Sequence, residues 1–253
     1  VVRDGQVLAY SEEERHIRLK HASWLPPINA LRSALTVAGV SGDEIGAIAI
    51  NWDIDGFNNG RIEKFYAQMA QQYPLDDATV SWQRKNVHDR KYSTLEKYFT
   101  NLWRRAFGHG KIPSIHGIPH HLGHAYHAFA QSSFSEALCL VLDGSGDTEC
   151  TSLWQCKEGG VSLLKSVEMP HSLGWFYAAI TEYLGFEAYD GEYKVMGLAA
   201  YGRPNDRIDA LIEEIVKDAP DGVGYEVDPK YVHYGNHTYS GRFTDKLVEL
   251  FER

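Results

Sequence analysis

The sequence lacks the features of three large classes of protein. No apolar run approaches the ~18 residues that a membrane span needs, and the N-terminal segment has no signal-peptide pattern. Three cysteines (Cys139, Cys150 and Cys156) are an odd number without metal-site spacing, which fits a reducing compartment better than a disulfide framework. With 34 acidic against 25 basic residues, the net charge is −9, which disfavours nucleic acid as the main partner. We therefore expect a cytoplasmic protein with neither a membrane nor a nucleic-acid partner.

The composition is that of a folded globular protein. Hydrophobic residues make up 43% and charged residues 23% of the 253 residues, enough for one large domain or two small ones. The chain begins without a methionine in a strand pattern, and it closes at 243–251 on a helix pattern without a C-terminal cap. We therefore expect the sequence to be part of a longer protein.

Strand and helix patterns alternate along the chain, which predicts a mixed α/β fold. Strands are expected at 46–52, 112–116 and 137–142, and hairpins at 1–13 and about 150–168. Helices are expected near 27–39, 61–72, 93–107, 172–185, 191–200 and 205–217, with a further one beginning near Pro119. A Ser93/Thr94 cap should begin the third of these helices, and the stretch 53–112 is predicted to be a helical insertion.

Five of the twelve histidines lie between His116 and His127. On a helix that begins near Pro119, His120 and His124 are four residues apart, so both imidazoles project from one face and can share a metal ion. A third ligand, usually a carboxylate, has to come from elsewhere in the chain. The alternative interpretation is a solvated or hydrogen-bonded histidine cluster at the start of a helix.

A glycine-rich segment follows the most apolar of the predicted strands. In Asp143-Gly144-Ser145-Gly146-Asp147, a carboxylate stands at the strand end, and the glycines allow backbone amides to approach a phosphate. The strand pattern resumes at 148–155, so a hairpin is expected here and not a nucleotide loop at a helix N-terminus. The alternative is an ordinary β-turn that needs a glycine with positive φ.

A third segment combines charge with glycine at the start of a predicted helix. Gly191, Glu192 and Lys194 can hold a phosphate or a polar substrate there. The alternative is a capped amphipathic helix with Met196 and Leu198 packed inward.

A fourth segment, 12–21, places three acidic residues before a basic run. Arg15, Arg18 or Lys20 can bind a phosphate or a carboxylate. The alternative is a solvated charged surface, which is the usual role of such runs.

Together and in this order, the four segments resemble the O-carbamoyltransferases of the nodulation and antibiotic-tailoring type. The motifs are Glu-Glu-Glu-Arg-x-x-Arg-x-Lys-His (12–21), His-His-x-x-His-Ala (120–125), Asp-Gly-x-Gly-Asp (143–147) and Gly-Glu-Tyr-Lys-Val-Met-Gly-Leu-Ala-x-Tyr-Gly (191–202). The resemblance implies an actin/sugar-kinase/Hsp70-like (RNase H-like) ATPase domain, incomplete at both ends. It also implies a relationship to the metal-dependent tRNA threonylcarbamoyl transferases.

The resemblance further implies a reaction. In that family a C-terminal companion domain makes carbamoyl adenylate from carbamoyl phosphate and ATP. The domain seen here then transfers the carbamoyl group to a hydroxyl of a small-molecule acceptor, usually a sugar or a natural product. The aromatic and polar residues of 53–112 either pack a helical insertion or line the acceptor pocket. Alternative interpretations are a sugar or acetate kinase of the same superfamily, and a non-catalytic nucleotide-binding module.

By position, the resemblance also assigns roles to the motif residues. His120 and His124 become ligands of a divalent metal, iron or zinc with magnesium as an alternative, and the aspartate that completes the site lies beyond residue 253. Lys20, Asp143 and Lys194 become catalytic candidates. Contacts to the nucleotide are implied for the remaining motif residues: Arg15, Arg18, Gly144, Ser145, Gly146, Gly191 and Glu192. The chain by itself is expected to be inactive, because the family's first phosphate loop and its companion domain lie outside it.

Overall fold

A computed structural model of the chain describes residues 1–23, 25–73, 75–220, 222–234 and 241–252. Helices and strands are interleaved, so the mixed α/β class is confirmed. Its assignment to the actin-like superfamily stays a prediction. The chain forms two compact units, of which unit 1 comprises 1–50 and 88–117, and unit 2 comprises 51–87 and 118–253.

The helices and strands are named in chain order. The helices are α1 (Glu13–Ile17), α2 (Ile28–Ala38), α3 (Ile54–Asn58), α4 (Arg61–Gln72), α5 (Asp77–Asp89), α6 (Tyr92–Phe107), α7 (His120–Gln131), α8 (Leu173–Tyr183), α9 (Glu192–Ala199), α10 (Asp206–Ile215) and α11 (Asp245–Phe251). The strands are β1 (Val2–Arg3), β2 (Gln6–Val7), β3 (Ala47–Ile50), β4 (Ser114–Gly117), β5 (Glu136–Gly146), β6 (Glu149–Lys157), β7 (Gly160–Glu168), β8 (Val216–Asp218) and β9 (Tyr225–Val227). Among the described residues, no helix has the length and apolar character that crossing a bilayer requires.

Unit 1 pairs β3 with β4 in parallel, with Ile48 opposite Ile115. Its core includes Leu35 of α2 and Trp103 of α6. The Arg32 side chain donates hydrogen bonds to the last carbonyl groups of α6, at 3.0 Å to Ala106 O, and so satisfies acceptors that a helix end leaves unpaired. As predicted for 27–39, α2 ends at Gly39, whose φ of +67° suits glycine.

Unit 2 is built on an antiparallel sheet with the strand order β5-β6-β7. One face of this sheet packs against α7, with Val141 and Trp154 buried against Ala125. A larger core of the unit includes Trp175, Ile215 and other residues of α8, α10 and α11. The sheet therefore fixes α7, the helix that carries the histidine pair, directly over β5.

Two of the predicted element boundaries are wrong. The hairpin expected over 1–13 ends at Val7, and residues from Glu13 onward form α1 instead. The Glu13 carboxylate accepts hydrogen bonds from Ala30 N at 2.7 Å and Asn29 Nδ2 at 2.6 Å. These partners are sixteen and seventeen residues away, so a local sequence pattern does not reveal the contact. The predicted Ser93/Thr94 cap is also wrong, because α6 begins at Tyr92 without a side-chain cap.

Within 53–112, the structure contains α3 to α6, and it adds α3 and α5 to the helices that the sequence predicts. The bounds of α4 match the expected 61–72, because its apolar residues recur at helical spacing and bury Ile62 and Met69 on one side. Whether this stretch is an insertion stays a prediction.

Candidate metal centre

The histidine pair lies at the start of α7. His120 is its first residue and His124 is one turn further along, so both rings lie on the same side of the helix. The two Nε2 atoms are 3.0 Å apart. The His120 side chain is only 13% exposed, whereas that of His124 is 52% exposed. One imidazole is thus fixed by packing, and the other is open to solvent.

Asp143 of β5 completes a group of three. Its Oδ2 atom is 3.1 Å from His120 Nε2 and 3.9 Å from His124 Nε2. Ligand atoms of the three residues all lie within 4.8 Å of one another. Two imidazole nitrogens and one carboxylate oxygen are donors that zinc and non-haem iron accept, so the residues fit either metal. Sequence reasoning placed Asp143 in the glycine-rich hairpin and missed this position beside the histidines. The aspartate that the resemblance implies beyond residue 253 stays a prediction.

The orientation of His120 is fixed from its other nitrogen. His120 Nδ1 lies 3.0 Å from the backbone carbonyl of Asn51. Because a carbonyl only accepts, Nδ1 is the donor, and Nε2 faces Asp143 and His124. The Trp52 ring also packs against His120, with 5.2 Å between the ring centroids. Carbonyl contacts of this kind are typical of histidines that bind metals through their second nitrogen.

The protonation states of the three residues depend on one another. The hydrogen bond to Asp143 raises the pKa of His120, against the opposing effect of burial. The same hydrogen bond lowers the pKa of Asp143, so its carboxylate is ionised near neutral pH. Burial, and then the neighbouring His120, lowers the pKa of His124. An ionised carboxylate and a neutral imidazole are the forms that bind metal ions, so the shifts at Asp143 and His124 favour binding, whereas a metal has to displace the proton that Asp143 stabilises on His120.

A second aspartate, Asp147, holds the start of α7 in place. It is 4% exposed, and its carboxylate accepts hydrogen bonds from the backbone N–H groups of His120 at 2.8 Å and Asp53 at 2.9 Å. Burial raises the pKa of this carboxyl group. Asp147 also has a φ of +53°, which aspartate tolerates better than most residues. It is therefore a positioning residue for His120, a role that the sequence analysis did not identify.

The glycines of the segment are explained by close packing. A Cβ atom at Gly146 would collide with the His120 ring, and one at Gly144 would lie 2.8 Å from Trp175 Nε1. The alternative of an ordinary turn with a positive-φ glycine is wrong, because neither glycine has a positive φ and Asp147 supplies that conformation. The chain reverses after β5, between Gly146 and Glu149, as the predicted hairpin requires. Contact between these amides, Ser145 included, and a phosphate stays a prediction.

A third histidine lies beneath the pair and is not one of the grouped ligands. His121 is 1% exposed, and its Nδ1 is 2.7 Å from Ser152 Oγ, which also accepts a hydrogen bond from Trp154 Nε1 at 2.6 Å. Burial lowers the pKa of His121 to about 4. His121 is thus a neutral core residue that anchors α7 to β6.

The glycine-containing motif at 191–202 also belongs to unit 2. Gly191 precedes α9, and a Cβ there would lie 2.7 Å from Glu187 O. The Glu192 carboxylate accepts a hydrogen bond from Tyr189 N at 2.8 Å, and Lys194 Nζ lies 5.7 Å from the centre of the Tyr193 ring. Gly191, Glu192 and Lys194 are not part of the His120–His124–Asp143 group, and their contact with a nucleotide stays a prediction.

The alternative interpretation of that motif, an amphipathic helix with Met196 and Leu198 packed inward, is wrong. Met196 is 67% exposed and Leu198 is 50% exposed, whereas Val195 is buried.

The basic residues of the first motif belong to unit 1. Arg15 forms an exposed ion pair with Glu12, at 2.9 Å. Arg18 follows the end of α1 with a φ of +57°, and Lys20 begins a short turn in which His21 and Ala22 also have positive φ. Three such residues within five indicate a strained backbone, a feature that often accompanies function. Their contact with an adenylate stays a prediction.

Comparison with known proteins identifies the family. Residues 1–253 match the family described as Carbamoyltransferase N-terminus. The uncharacterized protein sll1178 of Synechocystis sp. is 30% identical over 256 residues, which cover 99% of this chain and 40% of that protein. The nodulation protein NolNO of Sinorhizobium fredii is 34% identical over 229 residues, covering 90% of this chain and 30% of the relative. The nodulation protein NolO of Bradyrhizobium diazoefficiens is 41% identical over 110 residues, covering 43% of this chain and 19% of the relative.

The chain spans less than half the length of these relatives. The match extends over the whole chain, so it includes the four motifs and the segments between them. It confirms the resemblance drawn from the motifs. The chain belongs to the carbamoyltransferase N-terminus family.

Proposed function

We propose that this chain is the transfer domain of an enzyme that moves a carbamoyl group from carbamoyl adenylate to a hydroxyl group of a small-molecule acceptor. Membership of the carbamoyltransferase family supports the reaction class. The observation that carries the proposal is the group formed by His120, His124 and Asp143, which gives a transfer domain a place to hold a divalent metal. Carbamoyl phosphate, ATP and an adenylate-forming domain elsewhere in the longer protein would supply the donor.

His120, His124 and Asp143 would hold the ion, iron or zinc. When bound, such an ion supplies a Lewis acid that polarises a carbonyl or neutralises a phosphate. The carbonyl of Asn51 keeps His120 Nε2 directed at the site, and Asp147 fixes the backbone of the same residue. These contacts pre-organise the ligands, so little reorganisation is needed when the donor is bound.

In the transfer step, the acceptor oxygen bonds to the carbamoyl carbon while the bond from that carbon to the phosphate oxygen of the adenylate breaks. The hydroxyl proton passes to a base, and AMP leaves with the bonding electron pair. Negative charge therefore grows on the departing phosphate, where cationic side chains and backbone amides stabilise it. Within unit 2 we assign this role to Lys194 and to the backbone amides of Gly144–Gly146 and Gly191, whereas Glu192 orders the start of α9 by accepting a hydrogen bond from Tyr189 N. For Lys20, Arg15 and Arg18 of unit 1, contact with the adenylate is what the family resemblance implies.

The nucleotide product tests the reaction class. Full-length protein given ATP, labelled carbamoyl phosphate and a hydroxyl acceptor is expected to form a labelled carbamate ester and AMP. A sugar or acetate kinase of the same superfamily would instead form ADP and leave the label in carbamoyl phosphate. Nucleotide analysis by chromatography separates the two outcomes, and the absence of any nucleotide turnover would favour a non-catalytic binding module.

We expect Lys20→Ala to lower carbamoyl transfer by about a hundredfold, or about 3 kcal/mol, the usual scale for a lost transition-state donor. The physical reason is that a cation near the leaving phosphate acts more strongly as negative charge develops. Steady-state transfer by the full-length protein measures the effect. Lys97→Ala, which removes an exposed lysine from α6, is the matched control. Transfer by Lys20→Ala within twofold of that control would make Lys20 a surface charge.

We expect Asp147→Ala to weaken zinc binding by roughly tenfold to hundredfold, as losses of groups that orient metal ligands do. The backbone N–H groups of His120 and Asp53 lose their acceptor, which costs about 2 kcal/mol of the free energy of unfolding. Competition with a chromophoric chelator and urea unfolding measure the two effects. Asp147→Asn keeps one acceptor oxygen and should lie between the alanine variant and the wild type. An alanine variant with unchanged zinc affinity would remove Asp147 from the site.

A further inference from the structure

One arginine of unit 2, Arg242, is enclosed in the protein and lies outside the four sequence motifs. It is 1% exposed and is the largest of the fully buried side chains among the described residues. Nothing in the sequence pattern around it assigns it a role. A buried cation is unfavourable unless its surroundings compensate the charge, so its contacts identify the groups that it holds in place.

Two aromatic rings lie against the guanidinium group of Arg242. The guanidinium carbon is 4.8 Å from the centre of the Tyr189 ring and 5.9 Å from that of the Trp175 ring. At distances within about 6 Å, the negative face of a ring attracts a cation. A planar guanidinium can also stack on such faces, whereas the ammonium group of a lysine cannot. Arg242 therefore connects Trp175, a residue of α8, with Tyr189, which precedes α9.

The backbone of Arg242 is fixed independently of these rings. The carboxylate of Glu182, near the end of α8, accepts hydrogen bonds from Gly241 N at 2.7 Å and from Arg242 N at 2.5 Å. The carbonyl of Arg242 accepts a hydrogen bond from His233 N at 2.8 Å. The side chain thus projects from a fixed point of the backbone, so it can restrain the rings that it contacts.

On the Trp175 side, the contacts lead to the glycine-rich hairpin. A Cβ atom at Gly144 would lie 2.8 Å from Trp175 Nε1, so the indole packs against the backbone there. Ser172 Oγ accepts a hydrogen bond from Trp175 N at 3.0 Å and donates one to Gly144 O at 2.6 Å. A Cβ atom at Gly174 would overlap the carbonyl of Asp143. The start of α8 is therefore packed directly on the hairpin.

On the Tyr189 side, the contacts lead to the start of α9. Tyr189 has a φ of +65°, a strained conformation that persists only where neighbouring groups hold it. Its N–H group donates to Glu192 Oε1 at 2.8 Å, and Arg242 lies against its ring. A Cβ atom at Gly191 would lie 3.0 Å from Thr181 Cγ2, so α8 also packs against this turn. Arg242 and α8 together hold the turn that precedes α9.

We propose that Arg242 is a positioning residue of the transfer site, which holds the turn before α9 in a fixed place relative to the glycine-rich hairpin. The turn leads to Gly191 and Lys194, and the hairpin carries the amides of 144–146. The term transfer site rests on the proposed function, whereas the restraint of the turn by Arg242 rests on the contacts alone. Without Arg242 the strained turn relaxes, and Lys194 is no longer held where it stabilises the departing phosphate.

Amide hydrogen exchange of the full-length protein tests the restraint directly. Arg242→Met keeps the length of the side chain and removes its charge and planar head, so exchange in 187–195 is expected to be at least tenfold faster than in the wild type. Exchange in α7 should be unchanged. Lys230→Met is the matched control, because it removes a cation 4.5 Å from the centre of the Tyr231 ring, another contact of this kind in unit 2. It should leave exchange in 187–195 unchanged.

The rate of transfer per bound metal distinguishes a positioning residue from a merely structural one. Arg242→Met and Arg242→Lys are each expected to retain bound zinc or iron and to lower carbamoyl transfer per bound metal by at least tenfold. A structural residue would lower the yield of folded protein and leave this rate unchanged. If the Arg242 variants fail to fold, Tyr189→Leu removes the ring from the same contact at a position that is 41% exposed, and it should give both effects.

Each part of the proposal can fail separately. Exchange in 187–195 that stays within twofold of the Lys230→Met control in both Arg242→Met and Tyr189→Leu overturns it. Faster exchange with an unchanged rate of transfer per bound metal also overturns it, because the turn then has no part in the reaction. If the wild type forms no carbamate ester at all, the proposed function falls, and faster exchange in the variants would still show that Arg242 holds the turn.

Discussion

Replacing both His120 and His124 with alanine in the full-length protein is expected to remove bound zinc or iron completely and to lower carbamoyl transfer more than a thousandfold. The two imidazoles supply two of the three donor atoms that lie within 4.8 Å of one another. Carboxylates without imidazole partners hold zinc or iron too weakly to retain it against water and buffer. Elemental analysis after gel filtration gives the metal content, and a steady-state assay gives the transfer rate.

His127→Ala is the matched control for this pair. His127 belongs to the same helix, is exposed, and is not one of the grouped ligands, so its loss should leave metal content and transfer unchanged. Asp143→Asn should resemble the double alanine variant more than this control, because the amide oxygen is a weaker donor than a carboxylate. Stoichiometric metal in the double variant would show that the histidine pair is a hydrogen-bonded cluster, the alternative left open by the sequence.

The histidine half of this site could be predicted because it depends on local structure. Four-residue spacing on a helix puts two side chains on one face whatever the rest of the chain does. Asp143 could not be assigned in the same way, since its place beside His120 depends on β5 packing under α7 through Val141 and Ala125. The sequence contains one signal for Asp143: an apolar strand pattern that ends in this aspartate and is followed by a reversal of the chain.

The same distinction between local and long-range contacts explains which parts of the fold can be predicted from the sequence. The bounds of α4 follow from its own apolar spacing, whereas α1 is tied to the start of α2 by contacts between Glu13 and residues sixteen and seventeen positions away. Exposure of Met196 and Leu198 on α9 reverses the expectation that apolar residues of an amphipathic helix lie inside. Whether an apolar residue of a helix is covered depends on which other elements pack against that helix, and sequence periodicity does not contain that information.

Gly146→Val is expected to abolish metal binding and, with it, carbamoyl transfer. Any Cβ at this position would overlap the His120 ring, so the ring must leave the place where Nε2 faces Asp143 and His124. Overpacking of this kind also costs about 1–3 kcal/mol of the free energy of unfolding. Metal analysis, urea unfolding and circular dichroism on the full-length protein separate loss of the site from loss of the fold.

Two neighbouring substitutions make the Gly146 prediction specific to His120. Ser145→Ala removes a hydroxyl without adding atoms, so metal content should be unchanged and nucleotide binding should weaken by less than about tenfold, or 1.4 kcal/mol. Gly144→Ala directs its new methyl group at Trp175 instead of His120, so it should destabilise the fold and still retain the metal. If folded Gly146→Val protein binds zinc as tightly as Ser145→Ala, the close contact between this glycine and His120 has no part in forming the site.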